Sequence, residues 1–345
     1  MTYKNTFLSN FENSKNIPSK IPFWFMRQAG RYLPEYKKIR GNFSNFLEFC
    51  YNPEAACEVT IQPISRYGMS AAIIFSDILV IPDALGMDVR FVEGQGPVLT
   101  PLKNISELSY ENFSKILEPV YQAINMVRKE LNKETSLIGF CGLPWTLSCY
   151  MLNGKSSRDF QEVRQIALQK KEFFTNLTDL LISAISEHSL KQIEAGAEVI
   201  QLFDSWAGVL SEREFYDYSI IPTKKITKKI KEKYPNIPVI GFPRLAGSKI
   251  IDYAKETGVD AVSFDGSISL DIAHEELADY VVAQGNLDPV TLACDKEQAI
   301  RQTKKIIEKM SDKRFIFNLS HGILPHTPVD NVAAICDVIK SYDRK

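Results

Sequence analysis

The sequence predicts an α/β fold, a single-domain (β/α)8 TIM barrel with an inserted hairpin. Three observations carry that expectation: eight short apolar runs, segments of helical period between them, and no linker or low-complexity tract in 345 residues. Domains of about 150 residues would divide such a chain in two, but one α/β barrel routinely takes about 250 residues or more. The whole chain, 1–345, is therefore read as one domain.

In chain order the runs occupy residues 23–26, 71–75, 137–141, 199–203, 239–242, 261–264, 280–283 and 315–319. Most are rich in Ile, Val and Phe without polar alternation, as expected of parallel strands covered on both faces. The early spacings are long and leave room for an extra element. Residues 89–92, followed by a Gly and Pro turn at 94–97, read as the inserted hairpin. The stretch 163–193 sets Ile166, Phe173, Leu177, Leu181 and Ile185 at helical intervals among Lys and Glu. Residues 223–233 continue that pattern and stop before Pro235. The last runs lie about 20 to 40 residues apart, the length of strand–helix–strand units.

Composition narrows the function. Lys and Arg number 41 against 42 Asp and Glu, a net charge of −1, with 45% hydrophobic and 24% charged residues. Disorder, a disulfide scaffold and a phosphate-tracking nucleic-acid binder do not fit that balance. The six cysteines form no CxxC pair and read as reduced thiols. The first twenty residues, with Lys4, Glu12, Lys15 and Lys20, hold no apolar leader core, and no run of eighteen apolar residues exists. A cytoplasmic protein without membrane contact is expected.

Polar residues gather where the runs end: Arg27 and Arg31, Asp77, Gly142 to Trp145, Asp204 to Trp206, and Ser320 to Gly322. In a barrel these ends share one face, where active sites are built. Residues 22–40 hold five basic side chains against Glu35, a net +4. Lys37 and Lys38 read as a solvated helix face. Arg27 and Arg31 flank Gly30, so their loop can wrap a ligand, and two guanidiniums suit carboxylates. A phosphate site would more often bring a Gly-rich loop, and none is present. Asp77 either caps the following helix or stabilises a nearby cation from an apolar mouth. Tyr150 is open to a core reading, whereas His321 beside Gly322 is less suited to pure packing. His188, His274 and His326 read as packing or surface residues, and Cys141 and Cys149 as packed thiols. With no HExxH and no Cys/His/Glu cluster at ligand spacing, a catalytic metal is not expected.

FWFMRQAGRYLPEYKKIR and GFCGLPWTLSCYMLNG resemble the two signatures of the uroporphyrinogen decarboxylase family, and IIFSDIL, IQLFDSWAG, QGNLDP and FNLSHGILPHTPVDNV match it further. The resemblance implies a (β/α)8 barrel, usually a homodimer. It implies a carboxy-lyase that needs no metal or organic cofactor and converts the four acetates of uroporphyrinogen III to methyls. It also implies that Arg27, Arg31 and Arg40 hold substrate carboxylates, with Gln28, Ala29 and Gly30 in the same loop. Asp77 would accept from the pyrrole N–H groups and stabilise the transition state. Tyr150, Ser205 and His321 would contact carboxylates, Phe203 would form a pocket wall, and Phe46 lies near a position that varies in the family. Leu143, Cys149 and Ser320 depart from the common pattern. Two rivals remain: a zinc- and corrinoid-dependent methyltransferase of the same superfamily, whose His-x-Cys pair is missing at His321-Gly322-Ile323, and an inactive tetrapyrrole carrier.

Overall fold

The computed structural model describes residues 6–12 and 17–344; Lys4 and Lys15, part of the N-terminal reading, lie outside them. Among the described residues the strands are β1 (Ala71–Ile73), β2 (Val89–Val92), β3 (Gly96–Leu99), β4 (Ser136–Gly142), β5 (Val199–Asp204), β6 (Val239–Pro243), β7 (Ala261–Ser263), β8 (Val282–Leu287) and β9 (Phe315–Leu319). Seven of them form one parallel sheet in the order β1-β4-β5-β6-β7-β8-β9, while β2 and β3 make a separate antiparallel ribbon. Helices fill the intervals, which gives a TIM-barrel-like α/β fold. Among the described residues no helix is long and apolar enough to cross a membrane.

Two expected strands differ. Residues 23–26 form only an isolated bridge between Phe23 and Phe317. Phe317 N–H donates to the Pro22 carbonyl at 2.9 Å on one side, and Ser70 N–H to that of Phe23 at 2.9 Å on the other. Pro22 has no N–H to add a rung, and the chain leaves the wall at Arg27, where φ is 61°. The seventh run begins later than expected, at Val282, and continues through Gln284, Gly285 and Asn286, whose polarity disguised it. Tyr280 is 54% exposed on the preceding turn. The long helical stretch divides at Lys170 into Gln161–Gln169 and Lys171–Ala195.

Strand residues alternate between two cores with the period of two that a strand dictates. Trp24, Met26, Ala71, Ile73, Ile138 and Ile316 meet in an inner cluster. Their neighbours Phe23, Phe25, Ala72, Ile74, Leu137 and Phe317 join the larger core beneath the helices. A polar girdle crosses the inner cluster. The Trp24 indole N–H donates to Gln284 Oε1 at 2.8 Å, and Gln284 Nε2 donates to Gln201 Oε1 at 3.1 Å and to Ser263 Oγ at 2.5 Å. These groups are buried, and an unmade bond would cost each its desolvation without return. The girdle ties residues 22–24 to β5, β7 and β8 across the interior.

Replacing Gln284 by Leu should orphan the Trp24 N–H, the Gln201 carbonyl and the Ser263 hydroxyl. We expect a loss on the order of 3–9 kcal/mol, at about 1–3 kcal/mol per group. Urea unfolding would read it, and an unchanged midpoint would mean the girdle does not hold the interior together.

Candidate active site

The candidate residues stand at the C-terminal ends of strands or on the loops and helices that follow them. The 27–31 loop follows the bridge segment, Asp77 follows β1, and Tyr150 lies on the helix Pro144–Asn153 after β4. Phe203 and Ser205 sit at the end of β5, and His321 follows β9. Mutual electrostatics place the titratable members together. Arg27 acts on Asp77, Asp77 and Arg27 both act on Tyr150, and Arg27 acts on His321. Arg31, Arg40 and Asp77 all act on Tyr36, which joins the remaining arginines to the group.

Arg27 is pinned by its surroundings. Its left-handed φ of 61° is rare for a residue with a side chain, and the flanking chain over-determines it. Met26 N–H donates to Asn318 Oδ1 at 3.1 Å, and Ile323 N–H to the Met26 carbonyl at 2.9 Å. Gln28 is fully buried: its Oε1 accepts from Phe25 N–H at 3.0 Å and its Nε2 donates to the Ala71 carbonyl at 3.2 Å. Gln28 therefore frames the loop and turns its amide away from the mouth. Gly30 passes so close that a Cβ there would stand 2.7 Å from the Arg27 carbonyl. A Cβ on Gly322 would collide with the Arg27 Cγ and Cδ. Glycine at both positions leaves room for the Arg27 carbonyl on one side and its side chain on the other.

Asp77 does not cap the following helix, whose N-cap is Leu79 without a side-chain bond, but shapes the turn before it. Its Oδ1 accepts from Leu79 N–H at 2.9 Å, a turn contact ahead of the helix Val80–Ala84. Its carboxyl is also ringed by protein, although part of the residue reaches the surface of the mouth. Burial raises it to about 6, opposed by the Leu79 N–H and the Arg27 charge. A group titrating near 6 remains about tenfold in favour of the carboxylate at pH 7.

His321 is pushed down to about 3 by burial and by Arg27 and Arg244. It is a neutral imidazole at ordinary pH, able to donate one N–H but not to act as a cation. Tyr150 is raised by burial and so keeps its proton. Its ring packs edge-on against Phe160 and Trp206. Phe203 is half-buried between Phe140 and Phe242, at the top of the inner cluster.

The loop carrying Ser205 is anchored by Asp204, which sequence reading noticed without a role. Asp204 is fully buried and accepts from Thr146 Oγ1 at 2.7 Å and Ser219 Oγ at 2.6 Å. Burial lifts it to about 6 despite those donors. Trp206 N–H donates to Thr146 Oγ1 at 3.2 Å, so the carboxylate, the threonine and the Ser205-Trp206 turn move as one. Arg40 stands further out, donating to the Phe43 carbonyl at 2.7 Å with its guanidinium 6.0 Å from the Phe46 ring. Phe46 packs on Phe75 and on Phe91 of β2, which attaches the ribbon to this side of the mouth.

Other expectations resolve in place. Leu143 and Cys149, which depart from the common motif, are buried in the helix-side core, and Cys141 is a buried thiol pushed up to about 12. His188 is buried with Nδ1 3.0 Å from the Tyr121 hydroxyl, His274 meets Asp312 at 2.8 Å, and His326 is exposed. Glu35, the one acid of the basic segment, is bound by Arg66 at 2.7 Å outside the site. A groove of about 940 Å³ beside that pair lies between outer helices and contains none of the candidate residues. Sequence reading missed Arg244, just past β6. It follows Pro243 as a lone basic residue in a loop, and nothing local marks it.

A family model described as uroporphyrinogen decarboxylase (URO-D) matches residues 3–342. The uroporphyrinogen decarboxylase of Rickettsia massiliae (strain Mtu5) is 47% identical over 333 residues, covering 96% of this chain and 96% of that one. That of Wolbachia sp. subsp. Brugia malayi (strain TRS) is 49% identical over 326 residues, 93% of this chain and 92% of its own. Among solved structures, a methyltransferase from Methanosarcina mazei aligns over 97% of both chains with a TM-score of 0.79. Its identity is 18%, so that likeness shows the fold alone. With the family matched from end to end and relatives at nearly half identity, this chain belongs to the uroporphyrinogen decarboxylase family.

Proposed function

We propose that the chain decarboxylates the four acetate side chains of uroporphyrinogen III to methyls, giving coproporphyrinogen III, with no metal or organic cofactor. The observation that carries this reading is an ionised carboxylate, Asp77, held in a buried mouth beside an arginine loop. The arginines suit the carboxylates of the substrate and Asp77 suits its pyrroles.

The chemistry follows from the electrons. Loss of CO₂ from a simple acetate would leave a carbanion, so the bond pair needs a sink. A proton added to a pyrrole ring carbon makes that ring cationic. The C–C bond to the carboxylate then breaks, its pair flows into the ring, and CO₂ leaves. The exocyclic methylene takes a proton to become methyl while the ring carbon loses one. The balance is one carboxylate and one proton converted to CO₂ and a new C–H bond.

Asp77 accepts from the pyrrole N–H groups and faces the positive charge as it develops. At about 4 Å and an effective dielectric near 20, that attraction is on the order of 4 kcal/mol, and it is in place before the reaction begins. Arg27 and Arg31 hold carboxylates, and Arg27 also lowers Asp77, which favours its charged form. Neutral His321 and protonated Tyr150 donate to carboxylates without adding charge, Ser205 adds a hydroxyl, Phe203 forms a wall, and Arg40 binds at the rim beside Phe46. Ala29 and Gly30 give the backbone its close approach, and Gln28 fixes the loop from behind.

The same reading takes residues 22–24 as the eighth stave of a closed barrel, with the β2–β3 ribbon as an insertion in a single domain spanning 1–345. It takes the protein as a cytoplasmic homodimer that binds neither nucleic acid nor membrane; family resemblance supports the dimer.

Asp77→Asn should keep folding and tetrapyrrole binding but lower kcat on the order of 10²–10³-fold. Turnover near wild type in an anaerobic assay of product carboxylates would remove the electrostatic role. Arg31→Ala should raise KM about tenfold to a hundredfold, the range for a charge-assisted hydrogen bond, with little change in kcat. Unchanged affinity would take Arg31 out of the carboxylate clamp.

A further inference from the structure

We propose that Arg244 is a substrate-binding residue that holds a peripheral carboxylate on the wall opposite Arg27. The inference rests on the decarboxylase reading for the identity of the ligand and adds a contact to the same site.

Position is the first argument. Counting hydrogen-bonded neighbours from residues 22–24 through β1, β4 and β5 reaches β6 in four steps, and counting through β9, β8 and β7 also takes four. Arg244 therefore rises from the wall diametrically across from the Arg27 loop. A macrocycle with carboxylates around its whole rim presents anions to both walls at once, and anchors on one side alone would leave it free to tilt.

The backbone there is built to hold one direction. Arg244 N–H donates to the Asp204 carbonyl at 3.1 Å, and Leu245 N–H to Asp265 Oδ2 at 2.5 Å. Leu245 has a left-handed φ of 58°. Gly208 lies beneath, where a Cβ would stand 2.5 Å from that of Leu245. Two carboxylate-bearing residues and a glycine thus set this short turn, as the glycines set the Arg27 loop.

The guanidinium itself is left open. Arg66, Arg128 and Arg164 are bound by Glu35, Glu198 and Glu214. Arg244 is half-buried and, among the described residues, makes no ion pair and donates no side-chain hydrogen bond. A partly desolvated cation without a protein anion suits an anion from outside. Its charge acts on His321 and is not among the influences on Asp77. Arg244 is thereby assigned to binding, and the pyrrole chemistry is left to Asp77.

The test compares wild type, Arg244→Gln and Arg244→Lys for CO₂ release from uroporphyrinogen III and for binding of uroporphyrin III by fluorescence titration. We expect Gln to raise KM about tenfold or more and to weaken uroporphyrin binding similarly, with kcat within about twofold and Lys recovering most of the loss. Wild-type KM and affinity in Arg244→Gln, or a fall in kcat with KM intact, would overturn the inference. If wild type releases no CO₂, the decarboxylase reading fails. The paired uroporphyrin titrations then decide Arg244: weaker binding to Gln supports it, and equal binding ends it.

Discussion

Burial pushes the Asp77 carboxyl up, and the Leu79 N–H and the Arg27 guanidinium hold it near 6. That opposition is the constraint on which the mouth depends. A carboxylate fully solvated would interact weakly with a pyrrole cation, and one buried without compensation would take a proton and lose its charge. The structure sits between these limits. It keeps Arg27 near Asp77 by a left-handed backbone, a buried Gln28 and two glycines against which the arginine packs. Much of the 22–31 segment thus serves one electrostatic pairing.

The same segment also serves the fold. Trp24 and Met26 fill the inner cluster, Phe23 and Phe25 fill the outer core, and the backbone bridges β9 to the residue before β1. Three residues later the chain presents Arg27. The loop therefore has little freedom to drift, because its base is part of the wall. Asp204 does the equivalent task on the far side, joining Thr146, Ser219, Trp206 and the backbone of Arg244. A net charge of −1 over the chain leaves room for local positive charge, and Arg27, Arg31 and Arg40 supply it beside Asp77.

Much of this was legible in the sequence. Runs such as 199–203 and 315–319, each apolar but for one amide residue (Gln201 and Asn318), lie in β5 and β9. The clustering of Arg27, Arg31, Asp77 and His321 could be read because parallel strand ends converge, whereas Tyr150 joined them only through the family resemblance. What was hidden has physical causes. Gln284 sits in a strand, yet its polarity argues against one until Trp24 and Gln201 are seen to satisfy it. Gln28 read as a substrate-loop residue, but only long-range contact with Ala71 shows that it faces inward. Arg244 is isolated in sequence and acquires meaning only from its place across the ring.

The central claim is that Asp77 is held as a carboxylate where burial opposes its charge, and stability against pH tests it most directly. With a folded value of about 6 against about 3.9 unfolded, ionising Asp77 costs the native state. That cost is absent below the unfolded value, grows between the two, and is complete above 6. Asn at position 77 carries no such cost. Urea unfolding of wild type and Asp77→Asn across this range should show the Asn protein gaining relative stability as pH rises from about 4 to 7, levelling above that. A difference independent of pH, or one that favours wild type increasingly as pH rises, would contradict the account.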